Sequence, residues 1–150
     1  MLMDEILVSV MSVQALADDL HYRSSGKNFY ALHLLADRVK ENLNDTIDGI
    51  KEVYFLGEIK SEPPSTDYLM LKTSKNAATV RNAATEGIDA DHDLALVLAV
   101  KLATDLVIKN IEMFKKENQN LLSGTVALLD GLSQSMILAN ALLDRTALSF

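Results

Sequence analysis

Apolar residues recur at helical spacing along most of the chain. Between Asp4 and Arg23, Ile6, Val10, Val13, Ala17 and Leu20 repeat at intervals of three and four, the stripe of a helix that buries one face. Ser24-Ser25-Gly26-Lys27 reads as a turn. A second periodic stretch runs uninterrupted from Asn28, a candidate cap, to Leu56. Its core stripe is Phe29, Leu32, Ala36, Val39, Leu43, Ile47, Ile50 and Tyr54. From Gly57 to Asp93 the chain connects this helix to the next. Pro63-Pro64-Ser65 breaks that connection, and Thr66 to Lys75 reads as a short amphipathic helix. The next long helix starts near Asp91 and continues to about Glu117. Leu94, Leu98, Leu102, Leu106 and Ile111 form its apolar side, and Lys101, Asp105, Lys109, Glu112 and Lys116 its polar side. The last runs from about Leu121 to Asp144. Gly124 and Gly131 weaken it, yet small residues let a neighbour approach closely. A connection as long as Gly57 to Asp93 predicts a crossover, so the pattern describes an all-α, four-helix bundle.

Composition narrows the class. Leu and Ala dominate, and only two Pro and six Gly interrupt them, which favours helices over strands. The 150 residues suffice for one domain, 1–150, and at 5% aromatic its core must be aliphatic. The absence of cysteine excludes disulfides and thiolate metal sites. Ile6 to Met11 is short and follows Asp4 and Glu5 rather than a basic region, so it does not read as a signal peptide. No stretch reads as a membrane span. A cytoplasmic address is expected. The net charge of −7 repels nucleic-acid phosphates and attracts cations.

The chemistry lies in His21, His33, Asp37, Asp48 and Glu52. Imidazole and carboxylate are the side chains that hold iron, manganese or zinc. His33 and Asp37 are four residues apart, as are Asp48 and Glu52, so each pair shares one helix face. On one continuous helix the pair centres lie about 22 Å apart, whereas metal–ligand bonds are roughly 2 Å. One chain therefore cannot close one site with all four. A second copy, antiparallel about a two-fold axis near Asn42 and Leu43, brings His33 and Asp37 of one chain to Asp48 and Glu52 of the other. An isologous dimer makes that contact twice. Glu41 and Asn44 would then hydrogen-bond across the axis.

The run D-L-H-Y-R-S-S-G-K-N-F-Y-A-L-H-L-L-A-D from Asp19 to Asp37 resembles the Dps-like miniferritins of the ferritin-like superfamily. Their pattern is a His, then Gly and Phe, then Leu-His with an acidic residue four further on. His21 and His33 stand twelve apart, as in that family, and Asp48 and Glu52 match its I-D-x-I-x-E segment. The likeness is dense from about residue 15 to 57 and thinner beyond. Tyr22 stands where Trp is usual, and Ile137 and Leu138 lie where a late Trp is common.

The resemblance implies a ferritin-like bundle assembled as a hollow dodecamer. It implies a ferroxidase using His21, His33, Asp37, Asp48 and Glu52, with two iron ions at each intersubunit site. Fe(II) would be oxidised by hydrogen peroxide and stored as mineral, in defence against oxidative stress. Family members that bind DNA use a lysine-rich N-terminal tail; this chain has no basic residue before Arg23, so DNA binding by that route is not expected. Bridging to DNA through divalent cations stays open. The rival readings are a DNA-compacting protein and a cage that binds zinc or manganese without turnover. Tyr22 reads equally as a trap for oxidising equivalents or as plain packing with a bonded hydroxyl. Asp89, Asp91, His92 and Asp93 look like a metal cluster, but their place before a helix favours capping. Acidic channel residues expected near the start of the last helix reduce to Glu117 and Asp130.

Overall fold

A computed structural model describes residues 2–55, 58–59 and 62–150 of the protein. Among them the regular structure is helical and no strand occurs. Six helices follow in order: α1 (Met3–Arg23), α2 (Phe29–Lys40), α3 (Leu43–Phe55), α4 (Thr66–Ala84), α5 (His92–Glu117) and α6 (Ser123–Leu148). A 3₁₀ turn, Gly26–Asn28, joins α1 to α2. Gly26 takes φ +65°, a backbone state that glycine enters without steric cost.

α1 and α5 form the centre. α1 packs against α5, α2, α4 and α3, and α5 packs also against α6 and α4. The stripe read from α1 is the buried one, Ile6, Val10, Val13, Ala17 and Leu20. α5 differs from expectation. Leu94, Leu98, Leu102 and Leu106 are only half-buried, and the core is filled by Val97, Val100, Ala103, Val107, Ile111 and Phe114. A helix with neighbours on three sides is apolar nearly all round, so no single stripe identifies its inner face.

The long helix expected from Asn28 to Leu56 is broken. α2 ends at Lys40 and α3 begins at Leu43. Asn42 sits between them at φ +65°, a left-handed state that Asn tolerates better than most residues. Its carbonyl starts the new helix by accepting both the Thr46 N–H and the Thr46 hydroxyl, each at 3.0 Å. The core stripe survives the break: Leu32, Ala36, Val39, Leu43, Ile47, Ile50 and Tyr54 are buried. Phe29 is not; it is exposed. Asn28 occupies the cap position of α2 without a capping side-chain bond. Leu56 and Gly57 lie outside the described residues.

α4 is longer than expected, running to Ala84 rather than Lys75. Ser65 caps it by accepting from the Tyr68 N–H, and Leu69, Thr73, Ala77 and Val80 face inward. α6 runs from Ser123 to Leu148, later at both ends than the pattern indicated. Contrary to expectation, it is long and apolar enough to cross a membrane, with a mean hydropathy of 1.5 over its most apolar window. It packs on α5, α2 and α3 and buries Leu129, Leu132, Met136 and Leu143, but only 28% of that apolar stretch is buried within the chain. Nothing meets a Cβ built on Gly124 or Gly131, so the close approach these glycines permit is not used within the chain.

Candidate metal centre

α1 ends beside the middle of α2, which brings three predicted ligands together. One donor atom from each of His21, His33 and Asp37 lies within 4.8 Å of the others. Bonds of about 2.1 Å place neighbouring donors roughly 3–4 Å apart, so a small side-chain adjustment would close this group on one ion.

His21 lies in the last turn of α1, on the buried side that Leu20 and Ala17 share. Its ring stacks on His33 with centroids 3.8 Å apart and planes 20° from parallel. His21 Nε2 is 2.9 Å from Asp37 Oδ1. Nε2 thus has Asp37 as an electrostatic partner, but neither His21 ring nitrogen makes a hydrogen bond among the described residues. Buried polar atoms are almost always paired, and each orphan costs about 1–3 kcal/mol. A bound cation would satisfy the nitrogen that faces Asp37. Burial, and then the nearby positive charge of Lys40, hold the His21 pKa below its ordinary value of 6.5 despite Asp37 and Asp18. The ring therefore favours the neutral form that ligates metal.

His33 is half-buried on the face of α2 next to the core stripe of Leu32 and Ala36. Its Nδ1 is 3.1 Å from the His21 carbonyl oxygen. A carbonyl only accepts, so Nδ1 carries the proton and Nε2 of the neutral ring keeps its lone pair. An imidazole held this way by a backbone carbonyl is oriented for metal. Asp37, one turn on, is half-exposed and acts as the open edge of the group.

Asp48 and Glu52 are not in this cluster. Both lie exposed on α3, beyond the break at Asn42. Each pair still spans one helical turn, but a single helical phase no longer links the two pairs. Glu52 lines a cleft of about 380 Å³ with Glu58, Leu122 and Gly124, where the Glu58 carboxylate accepts from the Leu122 N–H.

The residues around the cluster have structural partners. Tyr22 is 70% exposed, edge-on to His21, with the Lys40 ammonium 5.5 Å from its ring centre. The same ammonium bonds Asp18 at 2.9 Å. Asn44 accepts from the Gln14 amide, and Glu41 pairs with Arg38, so both have partners within their own chain. In the acidic run before α5, Asp91 caps the helix through the Leu94 N–H, as its position indicated. His92 reaches back to Arg23 at the end of α1 and Asp93 to Ser25 in the turn after it, roles not foreseen from the sequence and visible only once α5 lies beside the end of α1. Of the acidic channel candidates, Asp130 is held at 2.5 Å by Lys115.

Comparison of the chain with protein-family models, with curated proteins and with solved structures finds no match to any of them.

Proposed function

We propose that the protein is a ferroxidase of the miniferritin type, which binds Fe(II) as substrate at His21, His33 and Asp37. The observation that carries this reading is the stacked, buried His21 with unsatisfied ring nitrogens, facing a carboxylate and a second, oriented imidazole. On this reading α1, the α2–α3 pair, α5 and α6 are the four helices of a ferritin-like bundle, and α4 is the crossover helix. Asp48 and Glu52 of a second copy complete each site, two iron ions share it, and the dimers build a dodecameric cytoplasmic cage.

The two imidazoles supply nitrogen, and the three carboxylates favour the harder Fe(III) product. Two Fe(II) ions give one electron each to hydrogen peroxide. The O–O bond breaks, two protons are taken up and two waters form, so no hydroxyl radical is released. Hydrolysis of Fe(III) then deposits mineral inside the cage.

Anaerobic protein loaded with Fe(II) and mixed with peroxide in a stopped-flow cell tests this. A fast rise in Fe(III) absorbance is expected, abolished in His33→Ala/Asp37→Ala. Tight zinc or manganese binding without iron turnover would instead favour the storage rival. A low-salt DNA gel shift in the absence of divalent cation would favour the compaction rival; at a net charge of −7, none is expected.

A further inference from the structure

The chain has three histidines, and all three meet at the C-terminal end of α1. A helix leaves its last four carbonyls without helical partners. In α1 two of these are taken by imidazoles: the His21 carbonyl by His33 Nδ1 at 3.1 Å, and the Arg23 carbonyl by His92 Nε2 at 2.8 Å. The next residue on α5 continues the clamp. Asp93, only 7% exposed, accepts from the Ser25 N–H at 3.1 Å. Ser24, between the two tied residues, is buried as well.

We propose that His92 and Asp93 are positioning residues for the metal centre: they hold the Arg23–Ser25 turn and so fix the ring of His21 against His33. Neither reaches the metal-binding group. Both come from a helix start remote in sequence, so the geometry of the centre is set by how α5 packs on α1. The effect on metal rests on the reading above, whereas the effect on the rings does not.

The test uses the full chain and two readouts. The metal-free readout is the imidazole ¹H–¹⁵N spectrum. In wild type His33 should show the Nδ1–H tautomer, with ring shifts displaced by stacking on His21. In His92→Ala/Asp93→Ala both signatures should weaken, while Asp93→Asn, which keeps the accepting oxygen, should retain them. The second readout is Co(II) titration followed by its visible absorption. The double alanine variant should bind about 10–100-fold more weakly, the usual loss for groups that orient a ligand, with an altered spectrum; Asp93→Asn should restore both. Unchanged ring signals in the folded double variant would overturn the proposal. So would unchanged Co(II) affinity and spectrum. A wild type whose rings respond as expected but which binds no Co(II) would support the clamp and remove the metal-centre reading.

Discussion

A buried imidazole with no hydrogen-bond partner is a cost that the fold carries at His21. If a metal ion offsets that cost, His21→Ala and His33→Ala should each weaken Co(II) or Fe(II) affinity by about 100-fold or more, beyond the usual effect of an outer partner. Isothermal titration measures this, and affinities within threefold of wild type would remove either ring from the site. Tyr54 makes a separate prediction. Its buried hydroxyl donates to Asp4, and burial, then that bond, push its pKa well above the ordinary value near 10. The unfolded chain therefore ionises first as pH rises. The stability Tyr54 supplies is complete below about pH 10 and is lost above it. Tyr54→Phe should lower Tm at pH 7, by about 1.5–3 kcal/mol of stability for a bond to a charged acceptor. It should also flatten the Tm decline between pH 10 and 12. A parallel decline in both proteins would contradict the assignment. At this scale the sequence was informative about His33 and Asp37, whose helical spacing sets them side by side. The orphan nitrogens of His21 depend on what surrounds the ring, which no spacing reveals.

At the scale of elements, hydrophobic period located the helices but not their interruptions. One left-handed residue, Asn42, divides α2 from α3 while Leu43 still falls on the buried stripe, so the periodic signal runs through the break. A heptad-like count sees which residues are buried and is blind to a single backbone angle. The clue was local: Asn is among the few residues that enter this state readily. Asn42→Gly should accordingly leave Tm nearly unchanged. Asn42→Val should cost about 1–2 kcal/mol, because a β-branched side chain crowds the backbone at positive φ and lacks the local hydrogen bonding that lets Asn enter this state. Thermal melts of both variants check this, and a Val variant as stable as wild type would mean the break is not required. α4 extends past the Thr66–Lys75 segment expected, because Ala77 and Val80 continue the buried face of Leu69 and Thr73. For α5 the inner face was not legible, since a central helix is apolar on several sides.

For the whole molecule, several large apolar residues stay exposed on the single chain. Ile137, Leu138 and Leu142 lie exposed along α6, and the exposed Tyr22, Tyr30 and Leu34 lie next to or near His21 and His33 in the chain. Burying such surface in an assembly would be worth roughly 25 cal/mol per Å² of apolar area. Native mass spectrometry should find about twelve copies of the 16.5 kDa chain, with the two-fold dimer as a smaller species. A monomer that binds iron tightly would contradict the shared site. The proposed assembly rests on resemblance, and the proposed intersubunit pairing on a two-fold drawn through a continuous helix that the break at Asn42 interrupts. The most direct test of the central claim mixes two damaged proteins, His33→Ala/Asp37→Ala and Asp48→Ala/Glu52→Ala. Each alone should oxidise Fe(II) slowly, since both of its sites lack half their ligands. After co-refolding, a mixed dimer holds one site with all its ligands and one with none of the four. Random pairing makes about half of the dimers mixed, so about a quarter of wild-type sites should return. No recovery of peroxide-dependent Fe(II) oxidation, with subunit mixing confirmed by mass, would contradict the account.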